Sequence, residues 1–431
     1  MKVGSRYCII FTFLLIMGYF NHDSIAQTTI LNSSYLLYRP AVSDMRAKGM
    51  GNTEILSNSP VNAVLSNPAL LPEQGRFGLS VGMRSISGEN EAELVRKNEF
   101  GMNNLSHEGY LSDANHISHI SAGFSVQDKE SPLNTGFGIG YQKLYSADCI
   151  FDDYLQLIGS DYRFYSLKTY YNQDDVSEFL ITTVAIKWKN ISFGISSYKS
   201  IGISGLHSDY DWTWYYRDGI ADTTMSETGQ NYGYSPVKGD FATLGLVYQQ
   251  NKIKLGLMFR SLYNHGNGGY VSVHPTNDDS WAEGQALKYY DYFPSILGIG
   301  FEYKPIENLI LVGEFQNRLF SINRVHWKSF KDGDVKRFGA EYEVVEDVYF
   351  RLGFFLENIF VFSYDSNEPE MMNGFTFGLG IKKGILSVDL AVEYARFDYK
   401  IEGNLPFNDR KYYLRNENKI LNAGTTISIH F

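Results

Sequence analysis

At about fourteen places the chain alternates, residue by residue, between an apolar side chain and a small or charged one. Each run is close to the 9–11 residues or so of a tilted strand that crosses a bilayer once. Successive side chains in a strand point to opposite faces, so each run has one greasy face and one small or polar face. In "FTFGLGIKK", Phe375, Phe377, Leu379 and Ile381 share one face, and Thr376, Gly378, Gly380 and Lys382 the other. In "ILSVDLAVEY", Leu386, Val388, Leu390, Val392 and Tyr394 oppose Ser387, Asp389, Ala391 and Glu393. The polar faces carry Arg84, Lys187, Glu302, Glu314, Arg337, Glu341, Arg351, Asp389 and Glu393.

A soluble sandwich also alternates, so the connections must decide. The runs lie near 76–87, 114–127, 134–145, 179–189, 191–203, 237–249, 252–262, 294–304, 309–320, 334–344, 348–357, 372–382, 385–396 and 421–431. Tight turns such as "KPIEN" (Lys304–Asn308) and "VED" (Val345–Asp347) take turns with long polar stretches near 88–113, 146–178, 204–236, 263–293 and 397–420. Short turns on one side and long loops on the other are the asymmetry of an outer-membrane barrel. The final run, "NAGTTISIHF", alternates through Ile427 and Ile429 and ends on Phe431; it resembles the C-terminal signature of outer-membrane barrels, which implies that these three residues are a barrel-assembly signal. Closure removes the unpaired edge, whose orphan polar groups would each cost several kcal/mol in lipid. The expected fold is all-β: a membrane-spanning antiparallel up-and-down β-barrel of about 14 strands over residues 76–431, with a plug segment inside.

The N-terminus predicts export. Lys2 and Arg6 precede an apolar run from Cys8 to Phe20, and Ser24 and Ala26 suit cleavage before Gln27. The run is short for a spanning helix of roughly 20 apolar residues, so residues 1–26 read as a signal peptide. Its removal leaves Cys149 alone, which excludes an intrachain disulfide. The expected location is the outer membrane of a Gram-negative bacterium. A formal net charge of −10 gives no footprint for nucleic acid.

Residues 27–75 remain in front of the strands. A fourteen-strand ring has an interior too wide for its own side chains to fill. "VNAVLSNPALL", Val61–Leu71, is small, apolar and turn-rich, which suits a segment folded inside. "DMRAKGMGNTEILSNSPVNAVLSNPALL" resembles the N-terminal region of the FadL (OmpP1/FadL/TodX) family of outer-membrane transport proteins, on Gly49, Met50, Gly51 and then Asn67, Pro68, Ala69 and Leu70. The resemblance implies that this segment is a hatch plugging the barrel and that these residues form its motif. It implies passive uptake of hydrophobic small molecules, long-chain fatty acids or aromatic hydrocarbons. It also implies a side exit at a kink in the third strand, "TGFGIGYQKL", where Gly136, Gly138 and Gly140 are the candidates.

Two aromatic-rich stretches are the candidate ligand or partner loops. One holds Phe151, Tyr154, Leu155 and Leu157; the other holds Trp212, Trp214, Tyr215 and Tyr216. The alternative reading is a type IX secretion-associated barrel, a shuttle or anchor for secreted proteins, because some FadL-like proteins serve that system. The aromatic loops would then dock a secretion-system protein. Other expected partners are the bilayer, lipopolysaccharide and the barrel-assembly machinery. Enzymatic function is not expected. His116 and His119 lie three apart in a strand, on opposite faces by simple alternation; the Gly-x-Ser-x-Gly spacing at Gly78–Gly82 falls inside a strand run rather than at a strand-to-helix elbow, and no P-loop occurs. No cofactor or metal site is expected, since acidic runs such as "NDDS" lack the spacing of a dedicated site.

Overall fold

The computed structural model describes residues 44–98, 101–127, 132–158, 164–201, 203–218, 221–236, 240–261, 263–265, 272–275, 291–293, 295–319, 332–359, 370–404 and 411–431. The predicted signal peptide and residues 27–43 lie outside the described residues. Fourteen strands form a closed antiparallel ring. They are β1 Phe77–Asn98, β2 Gly101–Gln127, β3 Leu133–Ile158, β4 Phe164–Trp188, β5 Ile191–Ser200, β6 Phe241–Gln250 and β7 Ile253–Arg260. β8 Ser295–Ile306, β9 Leu309–Leu319, β10 Gly333–Val345, β11 Val348–Ile359, β12 Glu370–Lys383, β13 Leu386–Asn404 and β14 Lys411–His430 complete it. Neighbours in sequence are neighbours in the sheet. β14 pairs with β1 from Gly78↔His430 to Arg96↔Tyr412, and the Phe431 amide donates to the Phe77 carbonyl at 2.8 Å.

The ring is inverted relative to a water-soluble protein. Ile191, Phe193 and Ile195 of β5 are 44–46 % exposed, while Ser192 and Ser196 between them are buried. Leu386 also faces out, and Asp389 and Glu393 face in. Apolar-out, polar-in is stable only if lipid bathes the outside. Trp188, Tyr248, Tyr303 and Tyr342 are exposed beside the tight turns, as expected of an interfacial girdle. The turns are short because Lys189, Asn251 and Asp347 take positive φ there (54°, 51° and 65°). Asn and Asp tolerate that region best.

The structure corrects the sequence in one respect. Much of the long polar stretches is strand. β4 pairs with β5 and then, in unbroken register, with Ile203–Asp218 as far as Phe164↔Tyr215. Ile203–Asp218 pairs with Ala221–Pro236, which leads back towards β6. There the greasy alternation that marks a spanning strand is lost from the sequence while the ladder continues.

Residues 44–75 lie inside the ring and are almost entirely buried. The segment contains a short helix, α1 (Met45–Gly49), and two 3₁₀ turns, Pro60–Leu65 and Pro68–Glu73. Asp44 caps α1 by accepting from the Arg46 amide at 2.8 Å, and each 3₁₀ turn opens on proline, where no backbone donor is lost. The Asp44 carboxylate also accepts from the Ser59 amide (2.7 Å), the Ser59 hydroxyl (3.0 Å) and Asn62 Nδ2 (3.1 Å), tying start to middle.

Candidate functional site

The lumen has two unlike walls. On β9–β13, interior charges pair with the inner segment. Arg46 Nε and Nη2 donate to Glu341 at 2.9 and 2.8 Å, and Arg351 Nε donates to the same carboxylate at 2.6 Å. Arg351 Nη1 lies 2.8 Å from Asp389 Oδ1, an ion pair rather than an aligned hydrogen bond. Arg337 donates to Glu314 at 2.8 Å and lies 3.5 Å from Glu54, and the Ile55 amide donates to Glu314 at 2.8 Å. Lys48 and Asn52 both reach Glu393, at 3.5 and 3.2 Å. Thr376 accepts from the Gly51 amide (2.8 Å) and donates to the Gly49 carbonyl (3.0 Å), so one hydroxyl pins the Gly49-Met50-Gly51 run. Gly51 has φ of 76°, and its amide packs onto Gly353 of β11, an approach no side chain would permit.

On β3–β8 the wall is mainly bare backbone, small hydroxyls and apolar groups, with Lys254 and Lys187 reaching Glu73 of the inner segment at 2.9 and 3.6 Å near the tight turns. A Cβ at Gly194 would stand 2.6 Å from the Pro68 carbonyl carbon, and one at Gly256 would stand 2.8 Å from Ile55 and Leu56. Towards the outer end this wall carries three packed rings. Tyr198 and Phe241 stack at 4.1 Å between centroids, and Phe179 meets Phe241 edge-on at 5.1 Å. They form one buried cluster with Ile181, Met258 and Ile296 and with Val64, Leu65 and Leu71 of the inner segment. A cavity of about 460 Å³ opens at the opposite, tight-turn end, lined by polar groups including Arg46, Glu73, Lys304, Lys382 and Asp389.

The ring is also incomplete at its outer edge. The β2–β3 ladder runs from Gln127↔Asn134 only to His119↔Gln142. The flanking ladders β1–β2 and β3–β4 continue past that level to Asn98↔Gly101 and Ile158↔Phe164. Register shifts flank the seam: β1–β2 slips between Gly82 and Met83, and β3–β4 between Lys143 and Tyr145. The first slip falls between His119 and Ile117 on β2, so the odd–even argument that separated His116 from His119 does not apply across it.

Asn67, Pro68 and Ala69 are buried at the start of the second 3₁₀ turn. Asn67 Oδ1 accepts from the Ala69 amide (3.1 Å) and Nδ2 donates to the Ile55 carbonyl (2.9 Å), so both ends of the amide are used inside the segment. Ile427 and Phe431 face outward (47 and 61 % exposed), Ile429 is half-buried, and Phe431 lies 5.8 Å from Phe77. The two aromatic stretches are not loops. Phe151, Tyr154, Leu155 and Leu157 lie on β3, and Trp212, Trp214, Tyr215 and Tyr216 on the Ile203–Asp218 strand. β4 pairs with both, giving rows Leu155–Leu167–Trp212 and Leu157–Tyr165–Trp214 across one sheet. Their side chains lie outside the described residues. The sequence reading missed Phe179, Tyr198, Phe241 and Arg260. The signal was present in "IKLGLMFR", where parity places Arg260 on the inner face with Gly256 and Met258.

Among solved structures, a FadL homologue of Pseudomonas aeruginosa is similar over 90 % of this chain and 98 % of its own, with a TM-score of 0.52 and 11 % identity. The toluene transporter TodX of P. putida is similar over 90 % and 99 %, with a TM-score of 0.52 and 13 % identity. The fold is that of the FadL-type proteins. At these identities the likeness is one of fold. No family model and no curated protein matches the sequence. In this FadL-type barrel the inner segment, the apolar wall and the β2–β3 seam make up the candidate site.

Proposed function

We propose that the protein is an outer-membrane channel for passive uptake of hydrophobic small molecules, with residues 44–75 acting as a plug. The observation that carries this reading is the continuous apolar cluster from Phe179, Tyr198 and Phe241 down to Val64, Leu65 and Leu71. A pore for sugars or ions would line its path with polar groups, whereas a buried apolar lining favours solutes that gain by leaving water. The solved relatives' descriptions, a FadL homologue and a toluene transporter, agree with this choice. The opposite wall is locked by ion pairs, so the apolar wall is the path. The seam beyond His119↔Gln142, next to the exposed Ile117 and Ile120, supplies a sideways exit into the outer leaflet.

The test uses the full chain in proteoliposomes, comparing entry of an apolar solute with that of a disaccharide. The expected outcome is entry of the apolar solute alone, with deletion of residues 44–75 admitting the sugar and raising conductance. Equal passage of both through the intact protein, or of neither, overturns the proposal.

A further inference from the structure

The lipid-facing side of the ring is not uniform. On β10–β13 four outward rings stand in direct cross-strand register: Phe338↔Phe354, Phe354↔Phe375 and Phe375↔Tyr394. Phe338, Phe375 and Tyr394 are exposed, and Phe354 meets Phe375 with centroids 5.1 Å apart. These four lie 6 to 8 residues from the tight-turn ends of their strands. At that depth on the opposite arc, β4–β6 carry Thr182, Ser197 and Ala242 in register. An interfacial girdle would run round the ring, whereas this platform is missing from the opposite arc. Two residues further out, the same face turns cationic. Lys336, Leu356, Asn373, Arg396 and Lys419 form the next row, again in register across β10–β14. Lys336, Asn373, Arg396 and Lys419 lie 9, 10, 10 and 11 residues from the tight-turn ends Val345, Lys383, Leu386 and His430. That is about the length that crosses a bilayer once, so the row sits at the outer head-group level. Lys336 is exposed, and among the described residues no carboxylate pairs with it; Asp334, on the same face, accepts from Asn317 Nδ2 at 3.1 Å. Arg396 pairs with Glu417 at 2.8 Å and with Asp398 at 3.5 Å, both one step further from the membrane. On the opposite arc the exposed Lys199 is neutralised by Asp240 at 2.7 Å.

We propose that this arc of the outer wall is a seat for one phosphorylated glycolipid of the outer leaflet, the lipopolysaccharide class. Lys336, Arg396 and Lys419 take the phosphates of its lipid A, and the aromatic platform takes the adjoining acyl chains. Depth and charge carry the assignment, because such a lipid places anions at the level of the cationic row and hydrocarbon directly beneath. Neighbouring strands lie about 4.8 Å apart, so Lys336 on β10 and Arg396 on β13 stand about 14 Å apart across three gaps. That separation suits a head group with two phosphates set apart, and not the single phosphate of a phospholipid. Asn373, between them, offers an amide donor and acceptor to the sugar. Lys and Arg bind phosphate oxygens through charge-assisted hydrogen bonds, which gain strength where the rings below exclude water. Asp398 and Glu417 orient Arg396 from the water side. The seat lies outside the barrel, so it is independent of the uptake reading.

The experiment is native mass spectrometry of the full chain in detergent, titrated separately with bisphosphoryl lipid A, with its dephosphorylated form and with dioleoyl phosphatidylglycerol. The wild type is expected to retain one bisphosphoryl lipid A, more tightly than either of the other lipids. Lys336→Gln and Arg396→Gln should each weaken it about fivefold, and together about twenty-five-fold, the effect of a cation near a membrane surface. Neither should change retention of the dephosphorylated form, and Lys336→Arg should keep the wild-type affinity. Phe375→Ala should weaken both forms of lipid A alike. Lys199→Gln, at the exposed Lys199–Asp240 pair, is the control and should change none of the three lipids. Heat-modifiable gel migration verifies that each variant is folded. Equal retention of lipid A with and without its phosphates overturns the seat. Equal retention of phosphatidylglycerol overturns it as well, since the arc then takes any anionic lipid. A loss in Lys199→Gln as large as that in Lys336→Gln does the same.

Discussion

The two walls of the lumen hold the same plug by opposite means. β9–β13 grip α1 and Glu54 with charges; β3–β8 grip the two 3₁₀ turns mainly with glycine backbone and apolar contact, the ion pairs of Glu73 with Lys254 and Lys187 being confined to the tight-turn end. The difference lies in what water does to each. An ion pair taken apart into water loses little, because surface pairs contribute only about 0–1 kcal/mol. Leu65 or Leu71 pulled into water loses the hydrophobic term outright, about 1.5–3 kcal/mol for a fully buried side chain. The charged wall is therefore the side that can loosen when wetted. The apolar wall is the side that stays shut to ions while remaining permeable to grease.

Substitutions can break or sharpen this contrast. Glu341→Ala strands Arg46 and leaves Arg351 with Asp389 alone, and should cost about 3–5 kcal/mol, read as a lower urea midpoint of the folded protein in lipid vesicles. Frequent open events in planar bilayers should accompany it. Gly194→Val drives a Cβ into the Pro68 carbonyl carbon and should cost about 2–3 kcal/mol by overpacking. It should displace the second 3₁₀ turn, read as new protease cleavage near Leu70 from the tight-turn side. Asn67→Ala removes both the cap to Ala69 and the bond to Ile55 and should cost about 1–2 kcal/mol. Lys199→Gln at the exposed rim should shift the urea midpoint by no more than the equivalent of about 0.5 kcal/mol. If Glu341→Ala proves as mild as Lys199→Gln, the interior pairs are already wet and the distinction between the walls collapses.

The ring was legible in the sequence because lipid imposes a two-residue period that water does not blur. The run "ISFGISSY" could be read directly into β5, with Ile191, Phe193 and Ile195 outward. The same logic failed above the membrane. "LHSDYDWTWYYRD" lies in a strand, but its polarity has no two-residue period from which the strand could be read. Within the site, the ends of the plug motif were visible because turns need Gly, Asn and Pro. The partners that hold them were not, since the contact between Met45 and Thr426 spans 381 residues and leaves no local trace. Glycines on the inner faces looked uninformative one strand at a time. They acquire meaning only as a surface shaped to Ile55, Val64 and Leu71.

That long-range contact bears on how the barrel is made. The plug precedes every strand in the chain, yet its helical turns touch β1–β6 on one flank and β11–β14 on the other. Joining the first and last staves unaided would confine more than 300 residues in one step, an entropic toll that grows with loop length. A pre-placed inner piece that binds both flanks divides that step into shorter ones. The stopper then doubles as the former around which the cask is raised.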